Sequence, residues 1–331
     1  MKNRREFLKT AATGAVLLSA GSKLGLAAAL DQPAATAKSK VVVARDAALH
    51  GADGKLDDKR VLDLLDHAIA SYTGNDKPVE AWKSIVPVGK VIGIKVNGLG
   101  GKGISTHAAL VMAVAERLQQ AGVKPGEILV WDRNAHDLEA CGMTINTDPS
   151  KIRCYGSDVS GYEETPVACG TVKIKLSKIL TRECEMVLNL PILKDHIMAG
   201  VTFSMKNMYG ILDRPMDLHG GHCNPGVADI NSISVVREKV RFTIGDAMTS
   251  VYNGGPSFRP EYLWKPNALI VGEDRVAVDH TAWQMIEKKR TEAGMQSLEA
   301  GGRKPVYIAT AADAKHNLGV NDPQRIQLVE V

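Results

Sequence analysis

The chain has 331 residues, 44% hydrophobic and 24% charged, with a formal net charge of +4 at pH 7. That length and apolar content support a sizeable core and exclude a disordered or fibrous chain. Without the first 37 residues, which carry five basic and two acidic side chains, 36 Lys and Arg face 35 Asp and Glu, a net charge of +1. The remaining charge lends no support to a broad basic footprint for nucleic acid.

The N-terminal stretch NRREFLK, Asn3 to Lys9, sets paired arginines before Phe7 and Leu8 and runs into the apolar AATGAVLLSAG. It resembles a twin-arginine export signal, which implies handling by the Tat translocase, a periplasmic location, and removal of residues 1–37 to leave a domain over 38–331. Gly14, Gly21 and Ser22 interrupt the apolar run and Lys23 ends it, short of the ~20 residues that span a bilayer, so no stable membrane anchor is expected. This export route carries folded proteins, which raises the expectation of a cofactor without naming one. Cys141, Cys154, Cys169, Cys184 and Cys223 form no C-x-x-C pair, so an in-chain iron–sulfur cluster is not expected and the thiols read as small buried apolar groups.

From Lys40 onward, strand-like and helix-like segments alternate: VVVAR, LDDKRVLDLLDHAIASYTG, VIGIKVN, STHAALVMAVAERLQQAG and EILVWD. Ser105 is the expected N-cap of the second helix and Gly122 its end. After Asp132 come a short strand KIRCYG, an irregular stretch to Gly170, a strand TVKIKL, a helix-like SKILTREC and the strongly apolar EMVLNLPIL. In GVTFSMKNMYGIL, a helix would place Val201, Met205 and Met208 on a core face. The alternation resumes with the helix GVADINSISVVREKV, the strands RFTIGD and NALIVGED, and the helix RVAVDHTAWQMIEKKR, with the Gly-, Pro- and aromatic-rich YNGGPSFRPEYLWKP between the two strands as a loop or hairpin excursion. Continuously apolar strands suit parallel pairing, so the expected fold is α/β: a doubly wound, mostly parallel sheet with helices on both faces and an irregular insertion.

In such sheets ligands bind beyond the carboxyl ends of the strands, and here those ends are polar. VIGIKVN ends in Lys95 and Asn97, EILVWD in Asp132, the apolar LPIL in Lys194-Asp195-His196, and RFTIGD in Asp246. GLGGKGIST precedes a helix whose first turn holds His107, a geometry that presents backbone N–H groups to an anion or else forms a plain turn. Lys194 and Lys206, twelve positions apart, are candidates for base, nucleophile or anion anchor, since a desolvated lysine near another cation loses its proton more easily. Lys194, Lys206, His196 and Asp246 form the candidate catalytic set. Lys95, Asn97, His107, Asp132, Asn207 and Asp279 form the candidate binding set for an anionic small molecule or cofactor. In LHGGHCNPG, His219, His222 and Cys223 fall within five positions. With His196 they form a candidate ligand set for zinc, copper or nickel, the competing reading being a polar pocket wall.

With KVIGIKVN, STHAALVMAVAERLQQAGV, EILVWDR, LPILKDH, VTFSMKNMYG, Leu218-His219 and GEDRVAVDHTA in this order, the chain resembles the domain-of-unknown-function family 362, most strongly over residues 90–285. The resemblance implies recurring positions at Lys194, His196, Lys206, Asn207, His219 and Asp279, and supplies no reaction. Some relatives carry a cysteine-rich ferredoxin-like segment that this sequence lacks. A more distant likeness to the N-terminal part of nickel-pincer lactate racemases rests on lysine and histidine positions. Two functions compete: an exported enzyme with a Lys/His/Asp-lined crevice, and a non-catalytic periplasmic binding or accessory protein for a redox complex.

Overall fold

The computed structural model describes residues 38–331; the expected export signal in residues 1–37 lies outside them. Eleven strands make one sheet: β1 (Ser39–Arg45), β2 (Ile92–Lys95), β3 (Ile128–Asp132), β4 (Arg153–Gly156), β7 (Met186–Asn189), β8 (Ile192–His196), β9 (Gly200–Thr202), β10 (Val240–Val251), β11 (Leu263–Trp264), β12 (Ala268–Gly272) and β13 (Ile326–Glu330). A separate hairpin joins β5 (Val167–Cys169) to β6 (Val172–Ile174). The main order is β13-β1-β12-β10-β7-β2-β3-β4. Pairing from β10 to β4 is parallel throughout, as is β1 with β13, while β12 runs antiparallel to both its neighbours. The central strands are buried on both faces, which explains their unbroken apolar sequences.

Helices cover both faces, as expected of a doubly wound α/β protein. On one side lie α1 (Asp58–Thr73), α2 (Pro78–Ile85) and α3 (Ala108–Gln120), whose Val61, Leu65, Trp82, Leu110 and Leu118 close over Ile92 and Ile94. Asp57 caps α1 by accepting from the Arg60 N–H, and Gly74 ends it in the left-handed conformation. Short helices α4 (Ala135–Ala140) and α5 (Ser157–Ser160) follow β3 and β4. Over the other face, α6 (Gly226–Ser232), α7 (Ser234–Lys239) and α9 (Val306–Ala311) pack around Trp131 and Val187. There, α8 (Arg275–Glu292) sets Val278, Ala282 and Ile286 against Ile270, following the four-residue spacing of its sequence.

Several boundaries differ from expectation. Helix α3 begins after His107, and the Ser105 hydroxyl is buried with no partner rather than capping it. The run EMVLNLPIL is two strands, because Leu190-Pro191 shifts the chain from pairing with β2 and β10 to pairing with the far half of β10. GVTFSMKNMYGIL is not one helix: Gly200 is left-handed (φ 78), Val201 and Thr202 are β-branched and continue as β9, and only Lys206–Ile211 coils, as a 3-10 helix. Val201, Met205 and Met208 are nonetheless buried. SKILTREC contains a single π-helical turn, Ile179–Glu183. None of the five cysteines is paired, and four are buried. No helix of the described residues is long and apolar enough to cross a membrane.

Strand β10 is the longest, pairing with β7 and β8 on one side and with β12 on the other, and Phe203 packs directly on its Gly245. A Cβ there would meet Phe203 Cζ at 2.1 Å and Ile270 O at 3.0 Å. Gly245→Ala is expected to cost about 1–3 kcal/mol by overpacking, seen as a lower urea midpoint with an unchanged slope.

Candidate functional site

Lys95, at the carboxyl end of β2, has its ammonium wholly buried. It donates to Asp132 Oδ1 at 2.6 Å, to the Val96 carbonyl at 2.7 Å and to Asn207 Oδ1 at 3.4 Å. Burial pulls the Lys95 pKa down and the Asp132 carboxylate opposes it. Asp132, ending β3, also accepts from the backbone N–H groups of Gly98 (2.7 Å) and Arg133 (2.8 Å). One buried ion pair thus ties together the loops that leave two adjacent strands. The glycine loop's first N–H is held by the protein's own carboxylate rather than held out for a ligand.

From this pair an amide relay runs across the sheet edge. Asn207 donates from Nδ2 to Asn189 Oδ1 at 2.7 Å and accepts on Oδ1 from Asn97 Nδ2 at 3.1 Å, while Asn97 Oδ1 accepts from Lys194 Nζ at 3.0 Å. Asn189 in turn donates to the Ser204 carbonyl at 2.9 Å. Gly210, within the coil that carries Lys206 and Asn207, sits so close that a Cβ would meet Asp132 Oδ1 at 2.5 Å and Lys95 Nζ at 2.6 Å.

Above this floor lies a cavity of about 290 Å³. Lys194 and His196 line it from β8, and Lys206 and Asn207 from the coil. Strand alternation explains the Lys-Asp-His order: residues 194 and 196 share a face, whereas Asp195 points the other way and pairs with Arg303 at 2.7 Å. His196 Nδ1 accepts from the N–H groups of Met198 and Ala199, both at 3.1 Å, so its proton resides on Nε2. Burial, then the charge of Lys206, drives the His196 pKa down to about 2. His219 donates from Nδ1 to the Pro215 carbonyl (2.9 Å), leaving Nε2 to accept from Lys206 Nζ at 3.3 Å. Its pKa is lowered by burial and by Lys206. The Lys206 ammonium also lies 3.6 Å from the Tyr209 ring centroid.

Burial brings both Lys194 and Lys206 to a pKa of about 8; Asp132 opposes the shift at Lys194 and the neighbouring Cys223 opposes it at Lys206. Neither lysine makes an ion pair among the described residues. The Thr202 hydroxyl, also on the wall, is buried without a partner. Leu99 (65% exposed) and Met216 (72% exposed) stand at the mouth beside Pro215 and Pro256, and the half-buried Arg133, Asn134 and Asp137 also belong to the lining.

Of the candidates named from sequence, Asn97, Asp132, Lys194, His196, Lys206, Asn207 and His219 line this cavity and Lys95 supports it. His107 and Asp246 do not line it. They pair with each other, Asp246 Oδ2 accepting from both the His107 backbone N–H and Nδ1 at 2.8 Å. Burial works against charge on His107, and the Asp246 carboxylate outweighs it, raising the pKa. Asp279 is buried beneath the coil, accepting from the Met205 N–H (3.1 Å) and the Tyr307 hydroxyl (3.3 Å). Burial raises its pKa to about 7, and its place is to brace the segment carrying Lys206.

The expected metal ligands do not converge. The backbone is left-handed at Gly221, His222 and Cys223 (φ 59, 61 and 64), so His222 turns out to solvent while Cys223 is buried. Only His196 and His219 remain together, ring centroids 5.9 Å apart. Among the described residues no group of three or more His, Cys, Asp or Glu side chains is placed to hold a metal ion. The sequence reading missed Asn189, Thr202 and Tyr209; a lone asparagine inside the apolar VLNL was the available signal.

Fold and site together define an α/β protein with a polar cavity at the carboxyl edge of a parallel sheet. The chain belongs to the family Domain of unknown function (DUF362), whose sequence model matches residues 92–284. No curated protein matches it. Two solved structures are similar: a protein from Thermotoga maritima (11% identity, TM-score 0.45, 70% of this chain covered) and the lactate racemase apoprotein from Thermoanaerobacterium thermosaccharolyticum (10% identity, TM-score 0.43, 78% covered). The match covers 59% of the length of each of those two chains.

Asp132→Asn would leave the Lys95 ammonium buried without its counter-charge. A loss of about 3–5 kcal/mol is expected, measured by chemical denaturation, with a smaller loss when Lys95→Met is added.

Proposed function

We propose that this protein is an enzyme that performs acid–base chemistry on a small carboxylate with an apolar substituent. The observation that carries the reading is the pair Lys194 and Lys206, two buried lysines in one cavity without a carboxylate partner. Taking a cation out of water is costly unless something compensates it. A substrate anion supplies that compensation. Lys194, steered by Asn97, anchors the carboxylate, and the neutral His196 donates from Nε2 alongside it. Lys206, with His219 Nε2 beside its ammonium, is the group whose proton moves, since a pKa of about 8 leaves both protonation states accessible near neutral pH. Leu99, Met216, Pro215 and Pro256 meet the apolar part of the substrate. Export through the twin-arginine route belongs to the same proposal and rests on residues 3–9.

With an anchor that must keep its proton and a base that must lose one, kcat/KM should follow a bell with both limbs around pH 8, the two values belonging to the coupled pair. Lys194→Arg, which stays charged, should remove the alkaline limb. Phenylacetate serves as the binding probe in calorimetry: Lys194→Ala should weaken it roughly 10- to 100-fold, the worth of a charged hydrogen bond. Lys206→Arg should keep binding and abolish proton exchange of the probe with D2O, read by NMR. Binding without exchange in the wild type would instead select a non-catalytic carrier, and no binding by either lysine-intact form would overturn the anion site.

A further inference from the structure

At the opposite edge of the sheet, where β10 begins and β12 ends, three arginines share one depression of about 250 Å³: Arg237 from the last turn of α7, Arg241 from the start of β10 and Arg275 from the first turn of α8. Their partners are neutral. Arg275 donates to the Val240 carbonyl at 2.7 Å and to Asn231 Oδ1 at 3.3 Å; Arg237 reaches the carbonyls of His316 and Asn317, each at 3.4 Å; Arg241 is exposed. No ion pair joins any of the three to a carboxylate among the described residues. The nearby Asp274 is committed elsewhere, accepting from the N–H groups of Val276, Ala277 and Val320 and from the Ser39 hydroxyl. Glu273 is the one carboxylate in the lining, and it is exposed.

Three like charges gathered around a concave surface repel one another, and one carboxylate leaves two of them uncompensated. Burial and the charges of Arg237 and Arg241 pull the Arg275 pKa down to about 10, with Asp274 opposing. We infer that this depression is a second ligand site, built for a phosphate-type dianion of a soluble small molecule. Guanidinium forks approaching from three elements match the several oxygens of a tetrahedral dianion better than the planar pair of a carboxylate. An extended polyanion fits poorly, because the cations stop at three, Glu273 stands among them and the chain beyond residue 37 is nearly neutral.

The test uses the full chain and inorganic phosphate at matched ionic strength, followed by thermal unfolding. Phosphate should raise Tm by a few degrees and saturably, as binding to the native state requires, while chloride should not. The double variant Arg237→Gln/Arg241→Gln should lose the phosphate response, and its ligand-free Tm should equal or exceed that of the wild type, since repulsion has been relieved. Lys194→Ala should keep the response, separating this site from the cavity on the other edge. An undiminished response in the double variant would overturn the inference. So would a fall in its ligand-free Tm with no phosphate response in the wild type, which would mark the arginines as structural. Binding to phosphatidic-acid vesicles without any response to free phosphate would overturn the soluble ligand.

Discussion

The buried contact between Lys95 and Asp132 is the constraint on which the rest of the site depends. A fully desolvated ammonium is tolerable only with its charge answered and its donors satisfied, and here Asp132, the Val96 carbonyl and Asn207 do both. Because Asp132 also takes the N–H groups of Gly98 and Arg133, the loops after β2 and β3 cannot move independently. The coil carrying Lys206 is pressed onto the same pair through Gly210, where no side chain fits. A single electrostatic requirement therefore sets the positions of three chain segments.

The cavity inherits its character from that floor. The amides of Asn189, Asn207 and Asn97 hand polarity from the ion pair to Lys194 without adding a negative charge, so the lysine reaches the wall still lacking a counter-ion. Burial and the charge of Lys206 keep His196 and His219 neutral, and their backbone partners fix the tautomers. The wall thus carries two lysines without an ion-pair partner, beside Asp132, whose charge is answered by Lys95. Asp279, caught between Met205 and Tyr307, holds the coil from beneath, so the orientation of Lys206 is fixed from two sides.

Much of the fold was legible. Apolar strands such as ILVW announced parallel pairing, and the four-residue spacing of Val278, Ala282 and Ile286 announced a helix face. The misreadings have local causes: Pro191 displaced a strand that looked continuous, and Gly200 with β-branched neighbours stopped a helix that the methionine spacing favoured. For the site, polar residues at strand ends were the right signal: Asn97, Asp132, Lys194 and His196 line one cavity, joined by Lys206, Asn207 and His219 from the coil and loop that follow β9. The same signal also picked His107 and Asp246, which satisfy each other elsewhere, and spacing grouped His222 and Cys223 with ligands that their backbone conformation sends apart.

The sequence by itself determined the class of fold, the family, the edge of the sheet where polar groups collect, and the two-residue alternation that sets Lys194 and His196 on one side with Asp195 on the other. The fold class and the alternation follow from periodicity, which is a property of neighbours along the chain, and the family follows from the order of its motifs. Only the tertiary structure decided which polar ends are satisfied internally and which stand without a counter-charge. Whether Asp132 is a free carboxylate or the counter-ion of Lys95 depends on a partner 37 positions away, and the grouping of Arg237, Arg241 and Arg275 depends on the pairing of β10 with β12. Desolvation and charge compensation are set by what the fold brings together, and no local pattern encodes them.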